Sequence, residues 1–235
     1  MGKYAMVCSL FLALLSCRNE SDEFKTVENF TPCNECGVEV AFPSLEKELV
    51  TLPSGIEVEI ADGITIFQGD IVLSDEQVAI LSQSGTRSAA LTEISKRWPD
   101  NVVFYTIHSS LSSESYKVTD AINYYHTNTG IRFMPRSIQS NYIEFFKGDG
   151  CWSYIGMTGG KQQVSLGTGC GVGTAIHEIG HALGLFHEQT RADRDSYVNI
   201  LWNNIQSGKD HNFKKYSENG YNGLDVGTFD FNSIM

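Results

Sequence analysis

The stretch from Thr174 to His187, Thr-Ala-Ile-His-Glu-Ile-Gly-His-Ala-Leu-Gly-Leu-Phe-His, constrains this chain more than any other feature. His177 and His181 are four residues apart, so on a helix both imidazoles leave one face and converge on a point. Ile176, Ile179 and Leu183 supply the apolar anchoring of that helix, which the pattern predicts from near Thr174 to near Gly184. Gly184 tolerates positive φ and turns the chain sharply, which lets His187 swing back as a third ligand. Three neutral imidazoles suit zinc and leave one coordination position open, as a catalytic centre requires. Glu178, next to the first histidine, is placed to reach a water in that position. A bare H-E-x-x-H turns up by chance in unrelated helices, but the added Gly184 and His187 remove most of that ambiguity. His108, His126 and His211 have no such context and read as surface or core histidines.

Charge divides the 235 residues unevenly. Residues 18–88 carry four basic against fourteen acidic side chains, whereas residues 89–235 are nearly balanced at −2. No basic patch suggests nucleic acid, and a duplex backbone would repel this balance. Lys3 followed by the 13 uncharged residues Tyr4–Ser16 reads as a targeting segment, residues 1–17, too short to span a bilayer, which takes about 20. Leu14-Leu15-Ser16-Cys17 resembles the bacterial lipobox, which implies lipid attachment at Cys17 and anchoring at a bacterial cell surface. The alternative is an ordinary secretory signal with an incidental cysteine; either way the chain leaves the cytoplasm. Of the remaining cysteines, Cys8 lies in the signal, and an even set of four is left: Cys33, Cys36, Cys151 and Cys170. In an exported protein these favour disulfides, with Cys151–Cys170 the natural pair.

From Asn19 to about Pro53 the sequence is polar, acidic and weakly periodic. Ile56–Ile60 and Ile64–Phe67 alternate as short strands around Ala61-Asp62-Gly63, and Ser82–Ser88 reads as an exposed linker and domain boundary. Beyond it Val102–Ile107, Tyr142–Phe146, Cys151–Ile155 and Gln163–Leu166 predict strands. Val118, Ala121, Ile122 and Tyr125 recur at helical spacing, with Gly130 as a stop. Strands first and then a helix that carries the chemistry suggest an α+β layer architecture.

The pattern H-E-x-x-H-x-x-G-x-x-H is the metzincin signature. His187-Glu188-Gln189, Arg191, Asp193-Arg194-Asp195, Tyr197-Val198 and Ile200 narrow it, because together they resemble the astacin family. The resemblance extends to Arg97-Trp98-Pro99, Ile131–Arg136, Gly150–Gly156 and Ser233-Ile234-Met235, the last similar to a Met-turn beneath the metal. It implies a zincin fold, a twisted mixed sheet over an active-site helix, in residues 89–235, preceded by an inhibitory propeptide, residues 18–88. It implies that Ala89 is the mature N-terminus with Glu188 as partner of its amine, after an activating protease has cut near Arg87–Ala89. It also implies that Cys151, Trp152, Ser153 and Tyr154 form the edge strand for an extended substrate. Phe67-Gln68-Gly69-Asp70 resembles the propeptide motif whose aspartate occupies the zinc. A plain strand followed by a Gly-Asp turn is the other reading, and the Cys36 thiolate, or less readily Cys33, is the rival blocker, unless the two close a small disulfide with each other. Gly130 stands where the family carries a cysteine of a second disulfide. The family's tyrosine ligand, two positions past the Met-turn methionine, and most of the lower subdomain would follow Met235, so the chain reads as incomplete.

These residues lead to peptide-bond hydrolysis with Glu178 as general base and one zinc per chain, on protein or peptide substrates. A zinc-organised peptide-binding module without activity is the rival from another class; loss of the glutamate would mark it, and Glu178 is present. A deacetylase-like metallohydrolase is a third reading, against which the Cys151–Gly156 segment speaks.

Overall fold

Short alternating stretches become strands of one sheet. The computed structural model describes residues 4–6, 40–83, 96–215, 218 and 225–235. Cys17, Cys33, Cys36, Arg87 and Ala89 lie outside the described residues. The strands are β1 (Tyr4–Met6), β2 (Glu48–Thr51), β3 (Glu57–Ala61), β4 (Ile64–Phe67), β5 (Ile71–Leu73), β6 (Val102–Ile107), β7 (Arg132–Pro135), β8 (Tyr142–Phe146), β9 (Cys151–Tyr154), β10 (Lys161–Leu166) and β11 (Val198–Ile200). Among the described residues three α-helices accompany them, α1 (Asp75–Leu81), α2 (Tyr116–Asn128) and α3 (Val172–Ala182). Nine strands form one mixed sheet in the order β2-β3-β4-β5-β9-β10-β8-β6-β7, in keeping with the expected α+β class.

The N-terminal half of that sheet is an antiparallel meander. Asp62 (φ 48°) and Gly63 (φ 78°) both take the left-handed region between Ala61 and its partner Ile64, the two-residue turn that matches strand twist. Residues 40–83 therefore do not stand apart from the rest, as the linker at 82–88 suggested. Instead β5 pairs in parallel with β9, Ile71 opposite Ser153 and Val72 opposite Tyr154, and joins both parts into one sheet. Two further elements in this stretch differ from the expectation. β2 lies where the sequence is polar and weakly periodic, because its backbone pairs with β3 while its side chains stay largely exposed. α1 opens with a capping box, Ser74 Oγ accepting from Gln77 N (3.3 Å) and Gln77 Oε1 from Ser74 N (2.9 Å).

The main core lies between the sheet and the two longer helices. Val118, Ala121, Ile122 and Tyr125 of α2 meet Ala175, Ile179 and Ala182 of α3 over Ile143, Phe145, Val164 and Leu166 of the sheet. Tyr125 Oη donates to Ile176 O at 2.9 Å, which satisfies a buried hydroxyl and ties α2 to α3; burial pushes that hydroxyl's pKa up. Trp98 Nε1 donates to Ala182 O at 2.8 Å and fixes the end of α3. α3 begins at Val172, two residues before the expected start, since Ala175 N reaches Gly171 O (3.0 Å) and so extends the ladder. Cys151 and Cys170 are joined in the expected disulfide, which clips the start of β9 to the segment before α3.

The residues read as a targeting segment contribute β1, which pairs in parallel with β11, Tyr4 opposite Val198. Among the described residues no helix is long and apolar enough to cross a membrane.

Candidate metal centre

α3 and the turn after it deliver three imidazoles to one point. Gly184 takes φ 102°, and this reversal brings His187 back over the helix that carries His177 and His181. The ring centroids of His177 and His181 are 4.5 Å apart, those of His181 and His187 4.8 Å, and those of His177 and His187 5.2 Å. Each Nδ1 is held by an oxygen: His177 by Ile234 O (2.7 Å), His181 by Leu185 O (2.8 Å) and His187 by Gln68 Oε1 (3.2 Å). An acceptor on Nδ1 selects the Nδ1–H tautomer and leaves the Nε2 lone pair pointing inward, the arrangement a metal ligand needs.

The inward point is filled by Asp70. Its Oδ2 lies 3.2 Å from His177 Nε2 and 3.2 Å from His187 Nε2, and its Oδ1 lies 3.6 Å from His181 Nε2. A zinc ion with ligands at about 2.0–2.1 Å would separate tetrahedral donors by about 3.3–3.4 Å, so these spacings fit one cation at the centre. Asp70 Oδ1 and His181 Nε2 are both buried without a hydrogen-bond partner, which a shared cation would cure. Among the described residues, these four side chains have donor atoms that all lie within 4.8 Å of one another. The electrostatics agree. Burial alone would raise the Asp70 carboxyl, but His187, His181 and His177 outweigh it and hold it well below the usual carboxylate range. Burial outweighs the attraction of Asp70 and pushes His181 down to about 4, which keeps that ring neutral.

Asp70 is aimed by the turn between β4 and β5. Gln68 (φ 55°) and Gly69 (φ 97°) both take the left-handed region, a strained conformation for glutamine that places its amide on His187 and the carboxylate two residues on at the metal point. Phe67 packs edge-on against Phe186 at 6.4 Å, and Ser153 N donates to Asp70 O at 3.1 Å. β9 is thus not an edge strand in this chain, contrary to the expectation for Cys151, Trp152, Ser153 and Tyr154; β5 takes the hydrogen bonds an added strand would use. Trp152 is covered on the same side by Ala41, Ala61, Ile66 and Val72, with Phe42 tilted against it at 5.1 Å.

Glu178 follows His177 on α3 and is fully buried. Met235 lies beneath the helix, where a Cβ added to Gly180 would stand 2.4 Å from Met235 Sδ. The same turn lends Ile234 O to His177, and its Met235 O accepts from Glu188 N at 3.3 Å. Glu188 Oε1 accepts from Asp230 N (2.9 Å) and faces Arg191 Nη1 (3.2 Å). Of the other histidines, His108 is exposed, His126 accepts from Phe133 N (2.8 Å), and His211 is buried near Glu59. Gly180→Ala should force Met235 aside and displace the carbonyl on His177. The helix gains about 1 kcal/mol from alanine but overpacking costs about 1–3 kcal/mol. We expect a small loss in melting temperature, and metal affinity lower by about tenfold or more in a competitive chelator titration.

The family profile described as Astacin, a peptidase family, matches residues 90–235. Blastula protease 10 of Paracentrotus lividus is 41% identical over 186 residues, covering 72% of this chain and 31% of the relative. Zinc metalloproteinase nas-4 of Caenorhabditis elegans is 41% identical over 172 residues, covering 72% and 54%. Meprin A subunit beta of Mus musculus is 39% identical over 201 residues, covering 82% and 27%. The chain therefore spans between 27% and 54% of the length of these relatives. Among solved structures, high choriolytic enzyme 1, a hatching enzyme zinc-protease from Oryzias latipes, is 35% identical with a TM-score of 0.53, covering 59% of this chain and 70% of that one.

Proposed function

Because the chain belongs to the astacin family of peptidases, we propose that it is a zinc-dependent endopeptidase held latent by its own N-terminal segment. The observation that carries this reading is the convergence of His177, His181 and His187 Nε2 on one carboxylate, with Glu178 beside them on α3. Held by those three imidazoles, zinc supplies a Lewis acid that polarises the scissile carbonyl and makes water acidic enough to deprotonate near neutral pH. Everything else falls to the chain. The carbonyls of Ile234 and Leu185 fix the rings of His177 and His181, Glu178 accepts the proton of the attacking water and returns it to the leaving amine, and β9 aligns an extended peptide by its backbone.

Residues 18–88 act as the propeptide in this proposal. Asp70 takes the place of water at the metal and β5 takes the place of substrate on β9, so one short hairpin blocks both. An activating protease cuts near Arg87–Ala89, and the new amine of Ala89 then replaces Arg191 or Asp230 N as a partner of Glu188. Residues 1–17 direct export, with lipid attachment at Cys17. A bacterial source rests on the Leu14–Cys17 resemblance alone, whereas the relatives described above are animal proteins. Substrates are proteins or peptides, and no nucleic acid is involved.

Metal removal tests the reading. The full chain, cut after Arg87 by trypsin that is then inactivated with a covalent serine-protease inhibitor, should hydrolyse casein, lose that activity on dialysis against a strong zinc chelator, and regain it with stoichiometric zinc. Activity that survives removal of the metal to below one-tenth occupancy would overturn the assignment.

A further inference from the structure

The tripeptide Gln68-Gly69-Asp70 grips His187 at both ring nitrogens. Asp70 Oδ2 lies 3.2 Å from Nε2, and Gln68 Oε1 accepts from Nδ1 at 3.2 Å. Latency as proposed above uses only the carboxylate. The glutamine needs its own explanation, because it is buried and takes φ 55°, a region that glycine and asparagine enter at lower cost. A side chain kept in a strained conformation, and landing on a metal ligand, points to a function for that contact.

The three rings differ in where their support comes from. His177 and His181 sit on α3, and the acceptors on their Nδ1 atoms, Ile234 O and Leu185 O, belong to the same C-terminal part of the chain. His187 lies past the Gly184 reversal, off the helix, and Gln68 stands 119 positions before it. The turn that carries Gln68 is held on several sides. Gly69 O accepts from Ala41 N (2.9 Å) and Asp70 O from Ser153 N (3.1 Å). Phe67 packs on Phe186, so two consecutive residues of the turn meet two consecutive residues of the metal loop. A turn fixed in this way presents Gln68 Oε1 to Nδ1 with little freedom. The proton then stays on Nδ1, the Nε2 lone pair faces the shared point, and the ring becomes a better oriented and stronger ligand.

We propose that Gln68 is a positioning residue for the metal: it orients His187 as third ligand in the uncut chain, so that the N-terminal segment loads and retains zinc as well as blocking it. Removal of the segment takes Asp70 and the Gln68 acceptor away together, which loosens the site as it opens. The inference rests on the zinc-peptidase reading and is tested by metal binding, without turnover. Uncut full chains of the parent, Gln68→Met and Gln68→Glu are titrated with zinc against a competing chelator, and zinc release into excess chelator is timed. Methionine keeps the length of the side chain and removes the oxygen, whereas glutamate keeps an acceptor oxygen at the same reach. Gln68→Met should weaken zinc binding about tenfold or more, the range for losing a partner behind a ligating histidine, and release zinc correspondingly faster. Gln68→Glu should recover the parent's affinity. The metal-free chains should melt alike, which separates loss of an oriented ligand from loss of the fold. Equal affinity in the parent and Gln68→Met would overturn the positioning role while leaving the zinc site standing. So would a Gln68→Glu chain as weak as Gln68→Met, or a loss of affinity that only follows a loss of metal-free melting temperature. An uncut parent that takes up no zinc would instead sink the zinc-peptidase reading, and this inference with it.

Discussion

Glu178→Gln, made in the full chain and then cut after Arg87, is expected to keep one zinc per chain and to lose about two to four orders of magnitude in turnover. The substitution conserves volume at a fully buried position, so packing around α3 is retained and the change is one of proton affinity. An amide accepts no proton at neutral pH, which removes the step that converts water into a nucleophile and the step that delivers a proton to the departing amine. The ligands are untouched. His177 keeps Ile234 O, His181 keeps Leu185 O, and metal content should match the parent within error. The loss should fall on kcat and on kcat/KM alike, because the carboxylate acts in the transition state and contributes little to binding a peptide along β9. A variant with metal bound and turnover unchanged would show that another group accepts the proton. A variant that loses metal as well would show that Glu178 is a structural partner of the histidines.

The three ligands were legible because their spacing obeys one local rule, helical periodicity followed by a glycine reversal, and α3 with Gly184 realises it. Strands β3 and β4 were legible for a similar reason: alternation broken by Asp62-Gly63 is a local pattern with a local cause. Asp70 at the metal point, 107 positions from His177, was reached only through the family resemblance, and other features made by distant partners were not legible. β5 has three residues, and it exists because β9 offers unpaired backbone groups some 80 residues later in the chain. The oxygens that orient the imidazoles come from Ile234, Leu185 and Gln68; two are backbone carbonyls, which carry no side-chain signature at all. The ion pair of Glu59 with Lys209 joins positions 150 apart in the sequence, and no local pattern around either residue points to the other. α1 is different, because its capping box, Ser74 with Gln77 and an acidic first turn, is a local signal present in the sequence, though seven residues are too few for a helical period to stand out.

Asp70→Asn in the uncut chain should weaken self-inhibition by about ten- to a hundredfold, the equivalent of losing charge-assisted hydrogen bonds worth about 1.5–3 kcal/mol. The carboxylate is buried among three imidazoles and held ionised by them, and an asparagine amide offers the same shape without the charge. Relief should remain partial. β5 still covers β9 through Ile71 and Val72, Phe67 still packs on Phe186, and Glu57 and Glu59 still hold Lys214 and Lys209, so cleavage should activate further than the substitution does. Ordered by turnover on a short peptide, the uncut parent should come below uncut Asp70→Asn, and that below the cut parent. Cys36 is the named competitor, since a thiolate is the softer zinc ligand, and it is addressed by two measurements on the uncut chain. Zinc absorption spectroscopy should show only nitrogen and oxygen neighbours at about 2.0–2.2 Å, with none of the sulfur scattering expected at about 2.3 Å. Cys36→Ser should leave inhibition unchanged. Sulfur in the first shell, together with relief by Cys36→Ser and not by Asp70→Asn, would transfer the switch from the carboxylate to the thiol.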